Sequence, residues 1–211
     1  MNDKIGLLFD DKDLVEKIKV KLPYLFQLVD LENSRAGKVG MQAGSAREPI
    51  IIALLIYKFG EQNVETKIPI TEPEIDVKLF GNPISIKTKT KDFSGIRLKW
   101  TSDTQKSIEF SKEYSPSCDM IFVHIKWNNV GGFYFIPKEI QIETLRSMGY
   151  KNYIKLSTGT NNRGPAFTST AIKQLIDNPR TMRISIDWKK RHDIDFNPYT
   201  KWIDLWQMEA E

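Results

Sequence analysis

The sequence predicts a single α/β (α+β) domain in which a central mixed β-sheet is flanked by helices. Segments whose apolar residues recur at helical spacing alternate with segments of period two along the whole chain, the pattern of a layered fold. No repeat, low-complexity tract or linker of Pro, Gly and Ser interrupts residues 1–211, so the chain reads as one domain. With 211 residues, 40% of them hydrophobic, it is long enough to bury a sizeable core.

Residues 10–31 read as one or two helices, with Leu14, Ile18 and Leu22 on one face and a break expected near Pro23. Residues 33–45, rich in Gly and small side chains, read as a loop. Residues 47–59 read as a helix that is apolar all round in its middle, hence buried, and that stops at Gly60. Residues 69–90 read as two strands and residues 95–100 as a third. A polar helix follows over 104–114, and a hairpin over 120–127 and 133–136 turns around Asn128 and Asn129. Beyond it, helices are predicted over 139–148, 169–176 and 199–208, and strands over 153–156 and 182–188.

Lys plus Arg number 31 against 27 for Asp plus Glu, a formal charge of +4, which suits a polyanionic partner without requiring one. Cys118 is the single cysteine, which excludes a disulfide framework and a Cys-rich zinc site. Two histidines, His124 and His192, supply a histidine metal site poorly. A divalent ion here needs oxygen ligands, which points to magnesium. The acidic N-terminus does not read as a signal peptide, and the apolar run 50–57 is too short to span a bilayer. The expectation is a soluble, cytoplasmic protein.

Residues 74–89 carry the chemistry. Gly81-Asn82, between two alternating runs, reads as a type II′ hairpin turn. That turn sets Phe80 opposite Pro83, Leu79 opposite Ile84, Lys78 opposite Ser85 and Asp76 opposite Lys87. Ile75, Val77, Leu79, Ile84 and Ile86 then share the apolar face, and Asp76, Lys78, Ser85 and Lys87 the polar one. Phosphodiester hydrolysis uses such a carboxylate–ammonium pair. The acid holds a hard cation that neutralises phosphate charge and lowers the pKa of a bound water, and the amine orients or deprotonates that water. The same pair also arises as an ordinary ion pair on a solvated sheet face.

These residues resemble the motif of the PD-(D/E)xK superfamily of restriction endonucleases: an acid at a strand end, a turn, then a second strand ending in acid-x-Lys. Asp76 matches the acid and Lys87 the lysine. Ser85 replaces the middle acid, and Ile75 precedes Asp76, with Pro73 earlier. The resemblance implies a restriction-endonuclease-like core, a type II activity on double-stranded DNA, Mg2+ and a homodimer. In the branch carrying Ser-x-Lys the missing carboxylate comes from a glutamate elsewhere, usually on a helix. That implies Glu48, with Asp76 and the backbone carbonyl of Ile86 completing the ion's shell. Glu72 and Glu74 are alternatives. Ser45 and Glu48 also fit a capping box, in which Glu48 satisfies only a backbone N–H, although Pro49 favours a later helix start.

Two segments are candidates for holding DNA. The first, residues 33–47, offers Arg35, Lys38, Gln42 and Arg47 beside glycines, with Met41 placed as an apolar wedge for the minor groove or as one tucked methionine of a surface loop. The second, residues 157–165, carries Asn161, Asn162 and Arg163, suited to reading base edges or to forming a plain polar turn. Lys189 leads a basic run suited to phosphates or to a solvated face. The loop-then-helix segment resembles the ThaI type, which cuts CGCG to blunt ends and wedges a methionine into the duplex; the resemblance implies that Met41 is that wedge.

The reading is therefore a homodimeric, magnesium-dependent restriction endonuclease acting on a short palindrome, whose two-fold symmetry mirrors that of the protein. Its rivals are a repair or junction-resolving nuclease without sequence preference, which gives a smear rather than bands from a plasmid, and a non-enzymatic DNA-binding protein.

Overall fold

A computed structural model describes residues 2–35, 41–69, 71–72, 74–99, 101–156, 164–197 and 199–208. The chain opens with helices α1 (Asn2–Asp10), α2 (Lys12–Arg35) and α3 (Met41–Phe59), then a 3-10 turn Glu61–Asn63. Strands β1 (Val64–Glu65), β2 (Val77–Leu79) and β3 (Asn82–Thr90) follow, then α4 (Thr104–Glu113), β4 (Asp119–Ile125) and β5 (Val130–Ile136). Helices α5 (Lys138–Met148) and α6 (Tyr150–Tyr153) lead to the short strands β6 (Ile154–Lys155) and β7 (Ala166–Phe167). Helix α7 (Ser169–Asp177), strand β8 (Met182–Asp187) and helix α8 (Thr200–Gln207) complete it.

Six strands form one mixed sheet in the order β1-β2-β3-β4-β5-β8, and β6 pairs with β7 separately. Among the described strands only the β3–β4 pair is parallel, and the crossover it requires carries α4. Strand β4 is buried along its whole length. Ile121, Val123 and Ile125 face a core closed by α1, α2 and α3, through Leu8, Ile18, Phe26, Ile51 and Leu55. Met120 and Phe122 face a second core closed by Ile140, Leu145, Tyr153, Ile172 and Leu175 from α5, α6 and α7. The helices therefore segregate, α1, α2 and α3 on one face and α5, α6 and α7 on the other. The mixed sheet flanked by helices is as predicted.

Several local expectations need correction. Helix α2 runs through Pro23 unbroken. The lost hydrogen bond and ring clash cost about 3 kcal/mol. Burial of Ile18, Leu22 and Phe26 on the same helix returns about 1.5–3 kcal/mol each, so packing wins. Met41 to Ser45, expected in a loop, already belong to α3. Of the predicted strand 95–100, the described residues 95–99 form no strand in the sheet: Ile96 and Leu98 are buried, but Arg97 only bridges to Ala166, with Leu98 N donating to Pro165 O at 3.0 Å.

The hairpin turns one residue earlier than predicted. Leu79 pairs with Asn82, Lys78 with Pro83 and Val77 with Ile84, so Phe80 and Gly81 form the turn. Both have positive φ, 50° and 75°, as a type I′ turn requires. The left-handed conformation at Phe80 is offset by its ring, which packs edge-on against Phe59 at 5.6 Å, and by its N–H, which donates to Asn63 O at 2.8 Å. Moving the turn by one residue moves every pair by two. The faces survive, and Val77 and Leu79 remain buried beside Ile84 and Ile86.

Candidate active site

The local cause of the site is that β2 stops after three residues while β3 continues for nine. Asp76 lies just before β2, and its N–H still donates to Ile84 O at 3.0 Å. Two residues further along β3, the Ile86 N–H points to the same side, where no strand remains to accept it. The Asp76 side chain accepts it instead, Oδ2 at 2.5 Å from Ile86 N. Ser85 Oγ donates to the same oxygen at 3.3 Å, and Lys87 Nζ lies 3.6 Å from it. Three consecutive residues of β3 thus converge on one carboxylate. Lys87 sits diagonal to Asp76 rather than directly opposite, and its flexible stem closes the difference.

Glu48 reaches the same place from α3. Its carboxyl is pushed up to about 7, first by burial and then by the charge of Asp76, with Lys87 opposing. Two acids are crowded together with one amine to balance them. Because α3 begins at Met41, Ser45 lies inside the helix and the capping-box reading of Glu48 falls. Glu72 points elsewhere, with its Oε2 3.1 Å from Nζ of Lys78, a β2 residue paired with Glu65 of β1. Glu74 enters a crevice that Ser85 and Lys87 also line, and Ser117 Oγ donates to its Oε2 at 2.5 Å.

The described residues contain no cluster of three or more His, Cys, Asp or Glu side chains placed to share a metal ion. Asp76 and Glu48 are two acidic donors, and the Ile86 carbonyl, which in an extended strand points the same way as its N–H, is a third oxygen. This all-oxygen set of low denticity fits a hard ion that retains waters, such as magnesium.

The DNA-contact candidates fare differently. Arg47, expected on DNA, is 5% exposed and turned inward, its guanidinium 2.5 Å from Asp30 Oδ1, 3.1 Å from Thr90 Oγ1 and over the Phe26 ring. It ties the end of α2 and the first part of α3 to the far end of β3, and has no free face for phosphate. Arg35 closes α2, and Met41 and Gln42 open α3, but their side chains, like all of Lys38, lie outside the described residues. So do Asn161, Asn162 and Arg163. Lys189 is exposed and 3.0 Å from Asp187. Gly164, the first described residue after Arg163, has a φ of 86°, and its carbonyl accepts from Arg97 Nη1 at 2.6 Å.

Sequence reasoning missed the seat of Glu74 against Tyr114 and Ser117, and the Asp30–Arg47–Thr90 clasp. Each joins residues about 17 to 43 positions apart, for which no local pattern exists.

Residues 8–208 match the family model described as restriction endonuclease ThaI. A solved structure, a restriction endonuclease in complex with substrate DNA, is similar at 50% sequence identity with a TM-score of 0.88, over 97% of this chain and 99% of its own. A search of curated proteins finds no match.

Proposed function

The chain belongs to the ThaI restriction endonuclease family and is a site-specific deoxyribonuclease, and from this premise we propose that Asp76, Glu48 and Lys87 cleave its DNA. Family membership removes the non-enzymatic rival and the nuclease without sequence preference. The observation that carries the assignment is the convergence of Asp76 Oδ2 with Ile86 N–H, Ser85 Oγ and Lys87 Nζ, beside a Glu48 carboxyl whose pKa is raised by burial and then by the Asp76 charge.

Restriction endonucleases generally use a divalent ion, and the all-oxygen donor set favours magnesium here. Asp76 and Glu48 would hold it, with the Ile86 carbonyl. When bound, it neutralises phosphate charge and lowers the pKa of a coordinated water. The chain's own contribution is positional. Ile86 N–H and Ser85 Oγ fix the Asp76 carboxylate, so its free lone pairs have a defined direction. Ser85, where the superfamily has an acid, keeps the hydrogen bond and omits a third negative charge. The Lys87 amine, 21% exposed, can donate to an attacking water and to a phosphate oxygen on which charge accumulates.

The experiment is cleavage of plasmid DNA with Mg2+ and with EDTA. Asp76→Ala and Lys87→Ala should lose cleavage by roughly a thousandfold or more while keeping fold and DNA binding in EDTA. Parental cleavage by either variant would dismiss the assignment.

A two-fold dimer acting in the cytoplasm on a short palindrome, CGCG, with Met41 as the wedge and Asn161, Asn162 and Arg163 at the base edges, is the companion proposal. Equal cleavage of CGCG and scrambled oligonucleotides would reject the target. A monomeric mass for the DNA complex in sedimentation would reject the dimer.

A further inference from the structure

The crevice behind Lys87 holds an acid that the cleavage chemistry above leaves unused. Glu74, Ser85, Lys87, Tyr114, Ser117 and Cys118 line it. Glu74 arrives on the turn that leads into Asp76, where Ile75 N donates to Glu72 O at 3.0 Å. Its Oε2 accepts from Ser117 Oγ at 2.5 Å, and the Tyr114 hydroxyl is its second side-chain partner. Its backbone carbonyl faces the Cys118 thiol, with Sγ 3.8 Å away. The connection between α4 and β4 therefore grips both ends of this residue. Burial raises the pKa of the Glu74 carboxyl, and the Lys87 charge acts in the opposite sense.

Electrostatics gives this arrangement a purpose. In the metal-free chain, Lys87 is seated by Asp76 at 3.6 Å. A doubly charged cation held by Asp76 and Glu48 cancels that attraction and adds repulsion against the same amine. Glu74 and Lys87 line the same crevice and the Lys87 charge acts on the Glu74 carboxyl, whereas Asp76 meets Lys87 from the edge where β2 ends. We infer that Glu74 is a positioning residue, whose carboxylate, anchored by Tyr114 and Ser117, keeps the Lys87 amine seated at the scissile phosphate once Asp76 is committed to the cation. The inference rests on the role of Lys87 proposed above.

Glu74→Gln tests it, because the amide retains the shape and removes the charge. The expected result is a kcat lower by about 10- to 100-fold with KM for DNA unchanged. DNA affinity in EDTA should be equal or several-fold tighter, since one negative charge near the phosphates has gone. A fall in kcat with no loss of DNA affinity is a combination that a merely structural loss does not produce. Glu74→Asp, with the charge restored on a shorter arm, should recover part of kcat. The double variant Glu74→Gln/Lys87→Ala should cut no more slowly than Lys87→Ala alone.

A parental kcat for Glu74→Gln overturns the inference. So does a fall in kcat matched by equal losses of EDTA affinity and melting temperature, or an Asp variant no better than Gln. Lys87→Ala separates the two levels: if it cuts normally, the site assignment itself fails. If it is inert while Glu74→Gln is fully active, only the role of Glu74 fails.

Discussion

Glu48 holds a proton under conditions in which a solvent-exposed glutamate has lost it. In the folded, metal-free chain its carboxyl titrates at about 7 against 4.5 for the ordinary side chain. Between those values the folded state retains a proton that the unfolded state releases, so raising the pH through this window disfavours folding. Taken in full, the rise from 4.5 to about 7 corresponds to about 3.4 kcal/mol, and solvent screening of a partly buried carboxyl reduces it to on the order of 2 kcal/mol. Glu48→Gln removes it, so in EDTA the variant should melt several degrees above the parent at pH 8 and level with it at pH 5. Calorimetry at the two pH values decides, and a gain of equal size at both contradicts the mechanism. Arg47 behaves in the opposite way, as a cation whose value depends on its partner. With Arg47 at 5% exposure, Asp30→Ala leaves a buried guanidinium unpaired and should cost about 3 kcal/mol in denaturant unfolding. The pair Asp30→Leu/Arg47→Met should recover most of that, because it is the unpaired charge that costs, not the absence of the ion pair. These two neighbours show what residue type alone conveys. Glu48 was identifiable as an acid near the motif, whereas the inward turn of Arg47 depends on Asp30, 17 residues earlier, and Thr90, 43 residues later.

At the level of elements, period and turn chemistry made most helices and strands readable. The amphipathic spacing of Ile172, Leu175 and Ile176 fixed α7, and the alternation around Ile84 and Ile86 fixed β3. Boundaries that depend on tertiary contact were not readable. Helix α3 starts at Met41 rather than near Arg47, and the Phe80–Gly81 turn relies on the Phe59 ring, 21 positions away. The polar face of the hairpin was nonetheless predicted, because a shift of two residues preserves parity. The root of β7 at Gly164 is another feature set by distant backbone. A Cβ on Gly164 would lie 2.2 Å from the Lys99 carbonyl oxygen at a φ of 86°. Backbone on both sides leaves nothing to yield, so Gly164→Ala should lower stability by about 2–4 kcal/mol. Thermal unfolding should register a fall of about 2–4 °C per kcal/mol in a chain of this size. An unchanged melting temperature would mean that the segment 96–99 does not hold that root.

For the whole molecule, alternating periodicities announced a layered α/β fold but not which helices cover which face. That partition follows from the one parallel pair, β3 with β4, whose seven matched positions join residues 35 apart. The site lies where the sheet ends toward β1 and β2, outside both cores, and among the described residues no helix is long and apolar enough to cross a membrane. Crowded carboxylates at that margin make metal binding a folding term for the entire chain. Mg2+ at about a hundredfold over its Kd should stabilise the DNA-free protein by about 2.7 kcal/mol. Asp76→Ala should abolish the shift in a thermal melt, and a shift that persists in that variant places the ion elsewhere. The premature end of β2 has a further consequence. The Ile86 amide has no neighbouring strand on that side, yet it is bonded to Asp76 at 2.5 Å, and so should exchange slowly with deuterated solvent. One backbone resonance thereby becomes a native reporter of site assembly, shifting when an ion binds its acceptor and passing into fast exchange in Asp76→Ala, with no substrate or turnover required.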